Sequence, residues 1–368
     1  MLKKNILTLI IISLVFLGWF FRDFFQNNFL KSEEKIIEIN SNQETKKENN
    51  SEEILKDEVI AKGQIKTAIL IKEQEIIYFN QNNFLKTDLI GKKRETLSSF
   101  PFPNLREITC SKNGKNCLLK TDVFGTFDLE KKEIKKLNSQ IKEVSFNFQQ
   151  DGLIYLFKEN NHYQLNTADL FGKNWLQLQT IKGDNIKIKV NPKKNELVYF
   201  FQELTGEERG IFLTNLIKNN QPEKIVDKNI IDVKWSPSGK KLLFSFYDNS
   251  TVPQRVNLGF YDFQQKQEFE IGIPSISEKC AWSEGSDILY CGALTNAENL
   301  DFNLEKWENR EFVSKDFFWE INLNNSERKR LFQSKKQYPL VDAFNLFVFR
   351  GELFFIDKIS GNLIKREL

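Results

Sequence analysis

The stretch Val233-Lys-Trp-Ser-Pro-Ser-Gly-Lys-Lys-Leu-Leu-Phe244 reads as a strand, a Ser-Pro-Ser-Gly turn and a second strand. Related turns follow strand-like segments along the chain, and aligning the position of their turn glycine gives Gly114, Gly152, Lys194 (where lysine replaces the glycine), Gly239 and Gly285. The steps between these positions are 38, 42, 45 and 46 residues. A unit that recurs at such a period is one supersecondary structure stacked several times, and this decides the fold.

The recurring unit predicts an all-β propeller over residues 61–368. From Ile65 onward, β-branched and aromatic runs alternate with turn residues, and no long helical period occurs. One degenerate unit, at about 65–98, precedes the aligned turns, and another follows at about 338–368. We therefore expect seven four-stranded blades, with six or eight left open. A β-sandwich or two smaller β domains are the alternatives, but neither requires a turn glycine at this spacing.

Residues 233–244 resemble the repeat of the TolB-like, WD-repeat-like propellers, in which a WSPDGK turn joins the first two strands of each blade. Ser238 stands where that family usually has Asp. The same repeat accompanies the catalytic domain of prolyl-oligopeptidase-type peptidases. The unit 280–291, together with Trp307, is also similar to uncharacterised membrane-anchored propellers of small-genome bacteria. These resemblances imply a fold, and no activity comes with them.

The N-terminus predicts a membrane anchor over residues 1–30. Two lysines precede the uncharged apolar run Ile6–Phe21, which spans roughly 24 Å at ~1.5 Å per residue. Flanking aromatics extend the run toward the bilayer interface. We expect an uncleaved single-pass anchor with its N-terminus in the cytoplasm and the propeller outside; a cleaved signal or a buried core helix are the alternatives. Residues 31–60 are polar and mixed in charge, which predicts a disordered linker.

Four cysteines form two local pairs. Cys110 and Cys117 flank the hairpin turn signal Asn113-Gly114, and counting outward from that turn places them opposite each other. Cys280 and Cys291 are opposed in the same way across a four-residue loop. An exported chain should close both pairs as disulfides. Buried free thiols and a metal site are the alternatives, although six and ten residues between the paired cysteines are more than zinc knuckles use.

Catalytic signals are sparse. The chain has one histidine, His162, and it lacks a Gly-x-Ser-x-Gly elbow, a His-Glu-x-x-His motif and a P-loop. We therefore expect no enzyme and no cofactor, with a carboxylate-pair hydrolase kept as an alternative. Charge is near balance, with 53 Lys and Arg against 50 Asp and Glu and no concentrated basic stripe in the sequence, which argues against a nucleic-acid partner.

One insertion interrupts the repeat at about Ala293–Asp316. It carries Phe302, Trp307, Arg310 and Phe312, residue types that anchor protein interfaces and stack on sugar rings. A smaller insertion at 246–255 carries Tyr247 and Arg255. We expect these six residues to form a binding surface; the alternative is that the aromatic side chains pack as a lid over their own blade. Trp235 and Trp282, each just before a turn, are expected in the core.

These observations predict a monomeric, membrane-anchored, extracytoplasmic propeller. Its expected role is that of a non-catalytic interaction module for a protein or glycan of the bacterial cell envelope. The alternative is a sensor or carrier that binds a small molecule or glycan in the central channel. The sequence identifies neither the partner nor the biological process.

Overall fold

The computed structural model describes residues 57–368 except 73, 81–82, 99–104, 161, 203–208, 218–220, 249, 251–253, 310 and 333–340. The described residues form seven antiparallel sheets of four strands each. The seven-bladed propeller is therefore confirmed. Most of the predicted anchor and linker, residues 1–56, lies outside the described residues. No helix in the described part is long and apolar enough to cross a membrane.

Each blade is a meander of consecutive strands, and only the last blade departs from this order. Strand β1 (Glu58–Ala61) comes first in the chain. Blade 1 contains β2 (Ile65–Ile71), β3 (Glu75–Asn80), β4 (Asn83–Asp88) and β5 (Arg94–Ser98). Blade 2 contains β6 (Glu107–Cys110), β7 (Asn116–Lys120), β8 (Gly125–Asp128) and β9 (Glu133–Lys136). Blade 3 contains β10 (Ile141–Phe146), β11 (Gly152–Glu159), β12 (His162–Asp169) and β13 (Leu176–Lys182).

The remaining blades follow the same plan. Blade 4 contains β14 (Ile186–Val190), β15 (Glu196–Phe201), β16 (Ile211–Asn215) and β17 (Glu223–Val226). Blade 5 contains β18 (Asn229–Trp235), β19 (Lys241–Asp248), β20 (Arg255–Asp262) and β21 (Gln267–Glu270). Blade 6 contains β22 (Cys280–Trp282), β23 (Ile288–Ala293), β24 (Phe317–Asn322) and β25 (Arg328–Arg330), preceded by a 3-10 turn, Ser277–Lys279. Blade 7 contains β26 (Ala343–Phe349), β27 (Glu352–Asp357) and β28 (Leu363–Glu367), completed by β1.

The ring closes through strand β1, which pairs with β28 from the other end of the chain. Glu58 lies opposite Lys365, and Ala61 lies opposite Leu363. This pairing corrects the predicted linker boundary, because residues 58–60 belong to the sheet. Strand β1 hydrogen-bonds to the otherwise unpaired edge of β28, so blade 7 has no open edge on that side. Ile60 and Ala61 are completely buried by this pairing.

The antiparallel order places the turns between first and second strands and between third and fourth strands at one end of the propeller. We call this end the turn face. Its described residues are 72, 74, 89–93, 111–115, 129–132, 147–151, 170–175, 191–195, 216–217, 221–222, 236–240, 263–266, 283–287, 323–327 and 350–351. The opposite face carries the connections between second and third strands and the links between blades.

The structure shows which residue occupies the left-handed position of each turn between first and second strands, and the glycine alignment predicted only some of these residues correctly. Gly114 and Gly239 each adopt a left-handed conformation and donate to the residue three positions earlier, as expected. In blades 3 and 6 the equivalent residues are Gln150 and Ser286, with φ of 64° and 66°, and not Gly152 and Gly285. The turn geometry is thus conserved where glycine is not, because a short polar loop tolerates this conformation at a modest energetic cost.

Both predicted disulfides are present. Cys110 lies opposite Cys117 and Cys280 lies opposite Cys291, with Cα–Cα distances of 3.9 and 4.1 Å. The cysteines are buried between blades, and Trp282 is buried beside the second pair as expected. Trp235 is half-buried; it stacks on Phe263 and donates its indole N–H to the Lys189 carbonyl at 2.9 Å.

Candidate binding channel and its helical cover

The blade 6 insertion folds into two short helices, α1 (Asn296–Asp301) and α2 (Leu304–Glu308). A capping box starts α1, in which the Thr295 hydroxyl accepts from Glu298 N–H and the Glu298 carboxylate accepts from Thr295 N–H. The Asn303 side chain caps α2 by accepting from Lys306 N–H at 2.9 Å. Local capping thus explains why a strand-to-strand connection becomes helical here.

The structure brings most of the predicted loop residues together, but in the core. Phe302 and Trp307 are only 9 % and 5 % exposed. Phe302 contacts the rings of Phe312 and Tyr247 at centroid distances of 5.6 and 6.4 Å. The expectation of exposed aromatic anchors is therefore wrong for Phe302 and Trp307, since these side chains bury a large apolar area against blades 1, 5 and 7. Arg255 is exposed at the start of β20, and Arg310 lies outside the described residues.

A buried ionic cluster fixes the end of the insertion to blade 7. Lys279 is fully buried and donates to Asp316 and Asp342 at 2.7 and 2.5 Å. Its ammonium also donates to the Ser314 hydroxyl at 2.8 Å and to the Ala343 carbonyl at 3.1 Å. Burial raises the pKa of Asp316, although Lys279 acts in the opposite direction. One cation thus pairs with two carboxylates, while the Ser314 hydroxyl donates to Asp316 and the Ser314 N–H donates to Asp342.

The first strands of the blades surround a central channel that holds a cavity of about 520 Å³. One part of its wall is apolar, with contributions from Leu70, Leu118, Val190 and Phe347. The part nearer the opposite face is charged. The ionisable side chains of the whole wall are Lys66, Arg106, Glu107, Lys120, Glu143, Lys189, Asp232, Lys234 and Glu278, and all but Lys234 belong to this charged part. A cavity of this size and mixed polarity suits a small organic ligand.

Several of these charges are paired with one another. The Glu143 carboxylate accepts from Lys187 at 2.6 Å and lies 3.7 Å from the Lys120 ammonium. The ammonium of Lys189, helped by Lys120 and Lys187, lowers the pKa of Glu107 to about 2 in spite of burial. Ser277 donates its hydroxyl to the Asp232 carboxylate. These groups form a fixed charged collar around one end of the cavity.

Glu278 and Lys189 differ from the rest of the collar. No donor or acceptor in the described part of the chain makes a hydrogen bond or ion pair with the Glu278 carboxylate or the Lys189 ammonium. Although the Glu278 side chain reaches solvent, partial desolvation by the channel wall, together with the negative charges of Asp232 and Glu107, raises its pKa to about 7. For Lys189, burial is outweighed by the attraction of Glu107, Asp232 and Glu278, so its pKa is raised. One acid and one base in the channel are thus available to a ligand.

Lys234 lies farther along β18, toward the apolar part of the cavity. Its ammonium donates to the Cys280 carbonyl at 2.6 Å and to the Leu346 carbonyl at 3.4 Å. Burial lowers its pKa to about 8 even though Glu278 and Asp232 act in the opposite direction. This lysine therefore loses its proton more readily than Lys120 and Lys189, whose pKa values are raised.

Helix α2 covers the charged end of the channel. A second cavity of about 50 Å³ lies there between the collar and the side chains of Leu304, Trp307 and Glu308. The Lys358 ammonium lies 3.7 Å from the centre of the Trp307 ring and donates to the Trp307 carbonyl at 3.2 Å. The insertion is thus a packed cover over the channel, and it differs from the predicted alternative, a lid over its own blade, because its aromatic side chains pack against blades 1, 5 and 7.

No protein-family profile matches this chain, and no curated protein matches it. Solved structures do. An oligogalacturonate lyase in complex with manganese is similar with a TM-score of 0.60 at 11% identity, over 85% of this chain and 90% of the lyase. TolB from Acinetobacter baumannii matches with a TM-score of 0.50 at 12% identity, over 69% of this chain and 62% of TolB. The chain has a TolB-like β-propeller fold.

Another solved β-propeller is also similar in fold. The β-propeller domain of Cps50 (Swd1) from Myceliophteria thermophila matches with a TM-score of 0.58 at 10% identity. That match covers 85% of this chain and 99% of the domain. At these identities the likeness concerns the fold alone, and the predicted resemblance to TolB-like and WD-repeat-like propellers is confirmed at that level.

Sequence reasoning did not find the channel residues. A signal for them exists in the first strands, where charged side chains alternate with apolar ones. Lys187 and Lys189 in β14 and Asp232 and Lys234 in β18 are two residues apart and therefore share a face of their strands. Such charges in the innermost strand of a propeller point to a functional channel wall.

Proposed function

We propose that this chain is a membrane-anchored, non-catalytic propeller that binds a small zwitterionic ligand in its central channel. The observation that carries the proposal is the pair formed by Glu278 and Lys189, an acid and a base without hydrogen-bond partners among the described residues, in a cavity of about 520 Å³. Both charged groups reach the solvent of the channel with hydrogen-bonding capacity unused, and a ligand group of opposite charge would gain a charge-assisted hydrogen bond at each.

The charge of the cavity favours a zwitterion over an ion of one sign. Its wall carries five basic residues and four acidic residues, so neither charge dominates. A ligand ammonium would lie near Glu278, beside Asp232, and a ligand carboxylate near Lys189. The apolar residues of the wall, such as Leu70 and Phe347, would contact the aliphatic part of the ligand. An amino acid or a similar small amphoteric molecule has this chemistry.

The disulfides support the proposed location outside the cytoplasm, since such bonds persist in oxidising compartments. Residues 1–30 are proposed as the anchor and the following residues as its linker. Recognition of an envelope protein or glycan through 246–255 and 293–316 stays a prediction. Burial of Phe302 and Trp307 removes the aromatic anchors on which that prediction depended.

A lyase function has less support. The similar oligogalacturonate lyase binds manganese, whereas no three His, Cys, Asp or Glu side chains of the described chain lie close enough together to hold a metal ion. The channel does contain four carboxylates, so turnover of an acidic oligosaccharide is the second candidate to test. We assign no catalytic step to any residue.

The proposal is tested by thermal unfolding of the full chain with a panel of free amino acids, a dicarboxylate, a diamine and an oligogalacturonate. A ligand at about 100 times its Kd should stabilise the protein by about 2.7 kcal/mol. We expect amino acids to raise the Tm and the single-sign ions to have little effect. The shift should be lost in Glu278→Gln and in Lys189→Met but retained in Lys193→Met, a control on the turn face.

Other results would contradict the proposal. If the same compound stabilises the wild type and both channel variants equally, its site lies outside the channel. If no amino acid stabilises the wild type, the zwitterion assignment is wrong. If oligogalacturonate is consumed and a single channel carboxylate is required, the chain is an enzyme.

A further inference from the structure

The two faces of the propeller differ sharply in charge. The described residues of the turn face include thirteen Lys and Arg but only five Asp and Glu, and all thirteen basic residues are exposed. Adjacent lysines occur in three of the turns, at 92–93, 131–132 and 193–194. The described residues of the opposite face include eight basic and eleven acidic residues. A chain with a net charge of only +3 is therefore strongly polarised along the propeller axis.

The turns form one continuous surface. Lys112 N–H donates to the Gln150 side chain, and its ammonium lies 3.4 Å from the Pro192 carbonyl, so the turns of blades 2, 3 and 4 touch. The Asn191 side chain donates to the Gly239 carbonyl at 3.1 Å, which adds blade 5. The outer turns join the inner ones, as in the 3.0 Å bond from Phe263 N–H to the Lys240 carbonyl. The basic residues therefore belong to a single face.

Exposed apolar side chains project from the same face. Ile90, Phe171, Trp175 and Ile217 lie in the outer turns of blades 1, 3 and 4, and Leu176 follows directly. Trp175 is 61% exposed and Ile217 is 75% exposed, which is unusual for large apolar side chains. Aromatic and aliphatic tips among lysines are typical of proteins that lie on a bilayer, where the tips enter the interface and the lysines approach lipid phosphates.

The chain also enters the propeller at this face. Strand β1 runs antiparallel to β28, so its first residues lie beside the end of β28. The Asp57 carboxylate accepts from Arg366, and the Leu368 N–H donates to the carbonyl of Gly351 in a blade 7 turn at 2.9 Å. Residue 57, where the described part of the chain begins, therefore lies at the turn face.

We propose that the turn face lies against an anionic lipid surface. The lysines would neutralise lipid phosphates, the apolar tips would enter the interface, and the channel cover on the opposite face would point away from the membrane. A nucleic acid is the other polyanion that a basic face could bind. Isolated aliphatic tips such as Ile90 and Ile217 favour lipid, because they gain free energy in a bilayer interface and little at a phosphate backbone. This proposal does not depend on the ligand in the channel.

The test is lysine footprinting of the full chain in nanodiscs, made of phosphatidylcholine alone or of phosphatidylcholine with phosphatidylglycerol. A water-soluble reagent acetylates exposed lysines, and peptide mass spectrometry reports the rate at each site. We expect Lys92, Lys131 and Lys193 to react at least about threefold more slowly with phosphatidylglycerol present, and Lys306 and Lys315 to be unaffected. Raising NaCl to about 0.5 M should weaken the protection, because salt screens the lipid charge.

Two matched double variants measure how much the exposed apolar side chains contribute to lipid binding, separately from the lysines. Trp175→Ser with Ile217→Ser should lower the protection of the turn-face lysines, whereas Val313→Ser with Ile359→Ser, exposed apolar residues of the opposite face, should not. Equal acetylation in both kinds of nanodisc overturns the proposal, as does protection of Lys306 and Lys315 instead. Protection that requires added DNA and is independent of lipid would assign the face to nucleic acid.

Discussion

Lys279 donates a hydrogen bond of 2.7 Å to Asp316, and both side chains are completely buried. The lysine follows Glu278, which faces the channel, and Ser277, which donates to Asp232. Three successive residues of one 3-10 turn therefore contact blade 5, the channel and the end of the helical cover. The backbone position of Glu278 is held on both sides by neighbours with fixed partners, which makes its carboxylate a well-placed ligand group.

Replacing Lys279 by Met should destabilise the protein by about 3–5 kcal/mol, because two buried carboxylates lose their only cation among the described residues. Urea unfolding measures the effect. Lys115→Met is the matched control: its ion pair with Glu130, at 3.2 Å, is exposed, so its loss should cost no more than about 1 kcal/mol. Similar losses for both variants would contradict the burial of Lys279.

Trp307→Ala should destabilise the protein by about 3–5 kcal/mol, since a buried indole leaves a cavity under α2. Trp175→Ala, in lipid-free solution, removes an exposed indole and should change the free energy of unfolding by less than about 0.5 kcal/mol. Thermal and urea unfolding distinguish the two. If Trp307→Ala leaves the free energy of unfolding unchanged, the expectation that this side chain belongs to a binding surface is favoured again.

Glu278 should make stability depend on pH. Partial desolvation by the channel wall, with the negative charges of Asp232 and Glu107, raises its pKa from 4.5 to about 7. The folded protein therefore retains a proton that the unfolded chain has released, and the free energy of unfolding falls as pH rises through this window. Glu278→Gln should make the fall between about pH 5 and about pH 7.5 shallower. Glu284→Gln, on the turn face, is the control, and a full decline in Glu278→Gln would show that another group causes it.

Each disulfide should contribute independently to the free energy of unfolding. Cys110→Ala with Cys117→Ala should lower the free energy of unfolding by about 2–3 kcal/mol, as expected for a short loop. The second pair lies in blade 6, so removing both bonds should have an additive effect. Unfolding of the reduced wild type provides the comparison. If the reduced wild type is as stable as the oxidised protein, the bonds do not constrain the unfolded chain.

Gly239 occupies the left-handed position of its turn and Gly285 does not, so replacing each glycine by alanine should affect stability in opposite ways. A Cβ on Gly239 would lie 2.3 Å from Asn191 Oδ1, and φ there is +67°, so Gly239→Ala should cost at least roughly 1–2 kcal/mol. Gly285 faces open space with no left-handed requirement, so Gly285→Ala should be neutral or stabilising by about 0.4–1 kcal/mol. Equal losses at both positions would return Gly285 to the role first predicted for it.

The propeller, its blade number, both disulfides and the position of the blade 6 insertion were all predictable from sequence. These features depend on local patterns: strand alternation, turn residues and cysteines opposed across a hairpin. The turn register was harder, because Gln150 and Ser286 adopt a conformation for which glycine is the usual sign. Strand β1 was missed because four residues, Glu58–Ala61, carry too short a pattern to stand out from a polar linker.

The sequence by itself determined the repeated four-stranded unit and the two cysteine pairs that form disulfides. Both depend on contacts between residues that are close together in the chain, within one hairpin or one blade. Only the tertiary structure decided that Phe302 and Trp307 pack inward, that β1 closes the ring, and that Glu278 and Lys189 share one channel. It also gathered thirteen scattered basic residues onto one face. These relationships join residues tens to hundreds of positions apart, and closure of the ring is what brings them together.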